Sequence, residues 1–144
     1  MKVEIEMVTC EEQEKALIKT TKITDSVTSA KQLLEGDSGG IFVTKEDKTY
    51  LLEYGKIYYI ESVDNKCFVY TKDDCFATKY KLYELEVMLD YRFFRCSKSM
   101  ICNVRKIRSV KTEYNAKMTA TLLNDEIVII NRSYVKDLKK RLGM

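Results

Sequence analysis

IFVTKEDKTYLLEYGKIYYIESVDNKCFVYTKDDCFAT, residues 41–78, divides into short runs of β-branched and aromatic residues separated by turn-forming pairs. The runs are Ile41–Thr44, Thr49–Glu53, Lys56–Glu61, Cys67–Thr71 and Cys75–Thr78. Between them stand Glu46-Asp47, Tyr54-Gly55, Asp64-Asn65 and Asp73-Asp74. Asp, Asn and Gly tolerate left-handed backbone or bond their own main chain, so they close hairpins readily. Short runs with turns this close predict a mainly β fold of short antiparallel strands.

Downstream, Lys81–Leu89 (KLYELEVML) places Leu82, Leu85 and Leu89 at helical spacing, with Glu84 and Glu86 pointing away. That is an amphipathic helix of about two and a half turns. Tyr91–Val110 (YRFFRCSKSMICNVRKIRSV) then mixes Arg92, Arg95, Lys98, Arg105, Lys106 and Arg108 with Phe93, Phe94, Met100, Ile101, Val104 and Ile107. Met100, Val104 and Ile107 lie at i, i+4 and i+7, which predicts a turn of helix after Ser97 or Ser99. The short amide of Asn103 can bond local backbone and hold a turn. Arg108–Tyr114, Lys117–Leu123 and Glu126–Asn131 read as three more strands. Ser133–Leu142 closes the chain as a second short helix, with Val135, Leu138 and Leu142 inward.

Upstream, residues 2–8 (KVEIEMV) alternate apolar and charged side chains, the period of a half-buried strand, and Ala16–Thr20 reads as another. Thr24 or Asp25 caps a helix that sets Val27, Ala30, Leu33 and Leu34 on one face, and Gly36 stops it. The loop Gly36–Gly40 is the boundary: residues 1–40 form a small strand-plus-helix extension and residues 41–144 the β domain.

Composition limits the chemistry. The 144 residues are 45% hydrophobic and 33% charged with no Pro, which describes a folded chain without a linker tract. No apolar run approaches the roughly 20 residues of a membrane span, and the N-terminus lacks a signal-peptide pattern, so no membrane insertion and a cytoplasmic location are expected. There is no His, which excludes Ser-His-Asp and Cys-His catalysis. The five Cys form no C-x-x-C pair, and no glycine-rich phosphate loop is present. Neither an enzyme nor a cofactor or metal is expected.

Charge is uneven. Residues 91–144 hold 13 basic and 4 acidic groups, a balance of +9 within a whole-chain net of +3. Such asymmetry points to one basic face directed at an anionic partner. A nucleic acid is one such partner: residues 91–110 and Asn131-Arg132-Ser133 offer Arg, Lys, Ser and Asn at turns, and if DNA is bound, loops between strands are the reading heads. The alternative is a non-enzymatic β-rich interaction module that binds an acidic protein, sensing thiol chemistry through Cys96 between Arg95 and Lys98.

The order IYYIES (Ile57–Ser62), KLYELE (Lys81–Glu86), FFRCSKSMICNVRKI (Phe93–Ile107) and IINRSYVKDLK (Ile129–Lys139) resembles the LytTR family of bacterial DNA-binding domains over about Tyr50–Leu142. The resemblance implies a β domain that docks along DNA through loops. It assigns those loops to Ser97-Lys98-Ser99, to Asn65-Lys66-Cys67 and to Arg132, and it gives Asn103 a part in shaping the first loop or in contact. Ser97 stands where the family often has His, and Lys98 where it often has Asn or Arg. The contact set so implied is Lys66, Arg95, Ser97, Lys98, Ser99, Asn103, Lys106, Arg132 and Ser133. Within it, Lys98, Ser99 and Lys106 anchor phosphates and Arg132 reads bases. Many relatives carry a receiver domain, for which residues 1–40 are too short, so the chain reads as a stand-alone transcriptional regulator. Val27, Leu33 and Leu34 offer an apolar face that can pack on the β domain or pair with a second copy, and because repeated promoter half-sites favour symmetric or tandem binders, a homodimer is the expectation.

Overall fold

The computed structural model describes residues 1–35 and 39–144. They divide into two compact units, Met1–Asp37 and Ser38–Met144.

In the first unit the helix forms as expected, as α1 (Asp25–Leu34). The hydroxyl of Thr24 caps it by accepting from the Val27 N–H at 3.3 Å. Residues 2–8 and Ala16–Thr20, expected as strands, form no ladder. A strand needs a hydrogen-bonded neighbour for its peptide groups, and the unit supplies none. Val3, Ile5 and Met7 accordingly stand exposed, and α1 buries no residue. Gly36, the expected helix stop, lies outside the described residues with Asp37 and Ser38 of the expected boundary loop.

Among the described residues the second unit holds ten strands. β1 (Gly40–Lys45), β2 (Lys48–Glu53), β3 (Tyr59–Val63), β4 (Lys66–Tyr70) and β5 (Cys75–Thr78) precede helix α2 (Leu82–Met88). β6 (Phe93–Ser97), β7 (Met100–Asn103), β8 (Ile107–Thr112), β9 (Met118–Leu122), β10 (Ile127–Ile130) and helix α3 (Arg132–Arg141) follow. A seven-stranded antiparallel sheet runs β2-β1-β5-β4-β3-β7-β6, and a three-stranded one runs β10-β9-β8. Two turns carry the chemistry expected of them. Glu46 and Asp47 adopt φ of 50° and 65°, and Asp64 and Asn65 adopt 51° and 64°. Positive φ at both central residues is the two-residue hairpin geometry that matches strand twist.

Two cores flank the larger sheet. Leu82, Leu85 and Leu89 press α2 onto Ile41, Val43, Ile60, Val69 and Ile101. On the opposite face, Phe94, Cys96 and Cys102 meet Met118, Ala120 and Leu122 of the smaller sheet and Leu138 of α3. Burying a Leu or Phe contributes about 1.5–3 kcal/mol of transfer free energy, so this double layer is what locks β6 and β7 in place.

The helix expected after Ser97 or Ser99 is absent. Met100–Asn103 is strand β7, and Val104–Lys106 is a single 3-10 turn. Phe93 and Ile101 feed one core while Phe94, Cys96 and Cys102 feed the other. Strands buried on both faces are apolar at successive positions, which erases the alternation that marks a strand. Two smaller differences follow the same logic of local ends. Tyr54–Lys56 forms a 3-10 turn ahead of β3, and Leu142 caps α3 at 36% exposure instead of facing inward.

Candidate nucleic-acid interface

Two backbone hydrogen bonds assemble the site. The N–H of Ser62 in β3 donates to the carbonyl of Ser99 at 2.8 Å, and the N–H of Asn131 donates to the carbonyl of Cys96 at 2.9 Å. The first sets the Asp64-Asn65 turn beside the Lys98-Ser99 turn. The second sets the N-terminus of α3 beside the strand end leading into Ser97. Three segments distant in sequence thus share one end of the unit.

Each turn is held by its own polar contacts. The Ser99 N–H donates to the Ser97 hydroxyl at 3.2 Å, and the two hydroxyls lie 3.4 Å apart. Arg95 sits at an irregularity in the β6–β7 register and donates to the Lys98 carbonyl at 2.9 Å. Its other terminal nitrogen reaches Glu86 of α2 at 3.1 Å, while its buried Nε has no partner. Lys81, just before α2, donates to the Asn65 carbonyl at 2.8 Å. Glu84 accepts from the Lys81 backbone N–H at 3.0 Å and fixes that helix start. α2 therefore braces both turns. Glu86 and Lys81 escaped the sequence reading because their partners lie 9 and 16 residues away on other elements.

The stretch 91–110 does not present a row of free cations. Arg92 pairs with Asp90 at 2.5 Å, Arg108 with Asp125, and Arg105 lies over Tyr91 at 5.5 Å from the ring centre. Lys106 lies over Tyr58 at 5.2 Å. Because Tyr58 precedes β3 and Ser62 ends near its tip, Lys106 stands roughly 13 Å along the strand from the turns. Among the described residues, Lys66, Lys98 and Arg132 are exposed cations near the three turns whose side chains take no hydrogen bond or ion pair. Ser99 and Ser133 are exposed with them and Ser97 is half-buried.

Of the two roles expected of Asn103, shaping the loop or contact, its surroundings fit the first. Its side chain is fully buried, its Nδ2 donates to the Ile57 carbonyl at 2.9 Å, and its Oδ1 accepts from the Arg105 N–H at 3.0 Å. Cys67, assigned to the second loop by resemblance, points into the first core.

The LytTr DNA-binding domain family model matches residues 47–143. The chain belongs to the LytTR family. The LytTr DNA-binding domain of a Bacillus cereus response regulator superposes with a TM-score of 0.70 at 27% identity, covering 74% of this chain and 98% of that one. The sensory transduction protein LytT of Enterococcus faecalis is 27% identical over 108 residues, 74% of this chain and 45% of its own length. The transcriptional regulatory protein YpdB of Escherichia coli is 29% identical over 123 residues, 84% of this chain and 50% of its own length. The chain thus spans about half the length of these two relatives.

The same LytTR scaffold removes Cys96 as a reactive thiol. It is fully buried in the second core, and burial pushes its thiol up to about 12, against the smaller opposing effects of its backbone and of Arg95. A thiol so raised is protonated near neutrality and a poor nucleophile. The thiol-sensing reading therefore loses its residue. Among the described residues no helix is long and apolar enough to cross a membrane.

Proposed function

We propose that this LytTR domain binds duplex DNA sequence-specifically as part of a transcriptional regulator. The observation that carries the reading is the convergence of three turns on one end, fixed by the Ser62–Ser99 and Asn131–Cys96 hydrogen bonds. Lys98, Lys66 and Ser99 meet phosphates, where a point charge or hydroxyl suffices. Arg132 reads base edges, because its planar fork spans two acceptors at once. The side chain of Asn131 makes no cap bond, so first-turn N–H groups at Ser133 remain open to a phosphate at the positive end of α3. Arg95 acts through the Lys98 carbonyl and shapes the turn without meeting DNA. Lys106 belongs to a flank and adds only long-range attraction. The regulator works in the cytoplasm without a catalytic step, and acts at repeated sites as a homodimer for which Val27, Leu33 and Leu34 offer one apolar surface.

Selection of duplexes from a random pool, followed by salt titration of the winners, tests the reading. Affinity for selected duplexes should fall steeply in log salt and exceed that for scrambled ones by about 10³-fold or more. Equal affinity for both, or a flat salt response, overturns it.

A further inference from the structure

β2 closes one side of the seven-stranded sheet and pairs with β1 alone among the described residues. The Tyr54 N–H donates to the Gly39 carbonyl at 3.1 Å, and the register then runs unbroken from Gly40↔Glu53 to Lys45↔Lys48. Peptide groups alternate in direction along an antiparallel ladder. Those of Lys48, Tyr50 and Leu52 therefore point at β1, and those of Thr49, Leu51 and Glu53 point out of the sheet.

Folded proteins blunt such edges with Pro, bulges or inward charges, because a bare edge invites another strand. Along the middle of β2 none of these devices is present, the charges Lys48 and Glu53 standing at its two ends. The chain has no Pro, the β1–β2 register has no irregularity, and the centre of the edge is Leu51 at 64% exposure. Its cross-strand partner Phe42 is 56% exposed on the same face. At β6 and β7 that face lies under the second core, while at β1 and β2 it is bare.

The geometry points to a second copy of this chain as the occupant: two β2 strands pair antiparallel about a twofold axis, Leu51 opposite Leu51. An axis normal to the sheet keeps like faces together, so opposed residues must share a face. Two registers near the strand centre meet that condition. Tyr50 opposite Tyr50 sets Asp47 against the partner's Glu53, and like charges face to face destabilise a ladder. Leu51 opposite Leu51 sets Glu53 against Thr49 and carries Asp47 past the end of the partner's strand, where the chain leaves the ladder in the 3-10 turn Tyr54–Lys56. It also opposes the outward peptide groups of 49, 51 and 53 to one another, each pair exchanging two hydrogen bonds. Phe42 and Leu51 of both copies then form one apolar row across the axis. The edge is complementary to itself in apolar surface and in hydrogen bonding, which an arbitrary foreign strand is not. This surface lies outside the extension and away from the three turns, since β1, β5 and β4 intervene between β2 and β3.

Cross-linking of the full chain tests the pairing and its register. Cys10 and Cys75 are the exposed thiols, so Cys10→Ser and Cys75→Ser supply the background. In the proposed register the two residues at 51 stand about 5.5 Å apart at Cα, within disulfide reach. The two residues at 49 stand roughly 14 Å apart, four residues along and one strand across, beyond it. Mild oxidation with diamide should give a covalent dimer with Leu51→Cys and almost none with Thr49→Cys. By sedimentation, Leu51→Lys should weaken self-association about tenfold or more by setting two cations on the axis, while leaving affinity for a single DNA half-site unchanged. A chain that is monomeric at all concentrations overturns the proposal, as does equal cross-linking at 49 and 51 or a dimer indifferent to Leu51→Lys. A wild-type dimer without DNA specificity sinks the functional reading alone.

Discussion

Asn103 donates its side-chain amide to the Ile57 carbonyl at 2.9 Å, from a position with no solvent exposure. Its backbone N–H also donates to Tyr58, so one residue ties the end of β7 to the chain entering β3. Asn103→Ala leaves the buried Ile57 carbonyl without a partner and removes the acceptor of the Arg105 N–H. The expected cost is about 2 kcal/mol, a fall in Tm of roughly 8 °C in a chain this size. Asn103→Asp should behave similarly, since it keeps the acceptor and loses the donor. Thermal unfolding measures both. A melt unchanged by either, with DNA affinity reduced, would restore Asn103 to the contact set.

Buried thiols set an alkaline limit on the fold. Burial raises Cys96 to about 12, and raises Cys102 and Tyr59 as well. The folded state thus holds protons that the unfolded chain releases from about pH 8.5 for thiols. Stability from these groups is fully present below that pH and lost as pH rises toward 12, because the unfolded state binds fewer protons there. Tm should be flat from pH 7 to 8.5 and fall beyond it, and a level Tm through pH 10.5 contradicts the assignment. Alkylating reagents near neutrality should reach Cys10 and Cys75 and spare Cys67, Cys96 and Cys102 until denaturant is added.

The elements legible from sequence are those whose determinants are local. Asp64-Asn65 announced its turn by backbone preference, α2 its face by the spacing of Leu82, Leu85 and Leu89, and α3 by Leu138 among lysines. From Met100 onward the chain reads as a turn of helix, because Met100, Val104 and Ile107 mimic helical spacing and both faces of the β6–β7 hairpin are buried. Residues 2–8 alternate without a partner strand, so pattern alone could not produce a ladder. At the site, Lys66, Lys98 and Arg132 were visible as charges at turns. That Arg92, Arg105 and Arg108 were already engaged, or that Glu86 held Arg95, depends on contacts between elements that no spacing encodes.

Arg132 is the residue on which base discrimination should depend. Arg132→Ala is expected to cost about 1–3 kcal/mol on the preferred duplex and to relax preference at one base position. Arg132→Lys should recover the charge without the fork, restoring much of the nonspecific affinity and little of the discrimination. Competition between the preferred duplex and single-position variants reads this directly. Uniform weakening across all variants would make Arg132 a phosphate contact instead.

Lys98 and Arg95 sit three residues apart at the same turn and should fail in different ways. Lys98 is exposed without an ion pair, so meeting a phosphate releases a counterion, and Lys98→Ala should lower the slope of log affinity against log salt by about 1. Arg95 already has Glu86 at 3.1 Å and the Lys98 carbonyl at 2.9 Å, so its charge is spent inside the protein. Arg95→Ala should weaken binding by loosening the turn, with the salt slope nearly unchanged and Tm lowered. Glu86→Ala frees the Arg95 guanidinium, which should raise the slope slightly while weakening the preferred duplex by less than Arg95→Ala does. Equal salt slopes for Lys98→Ala and Arg95→Ala would mean that Arg95 leaves Glu86 on binding and reaches the DNA itself.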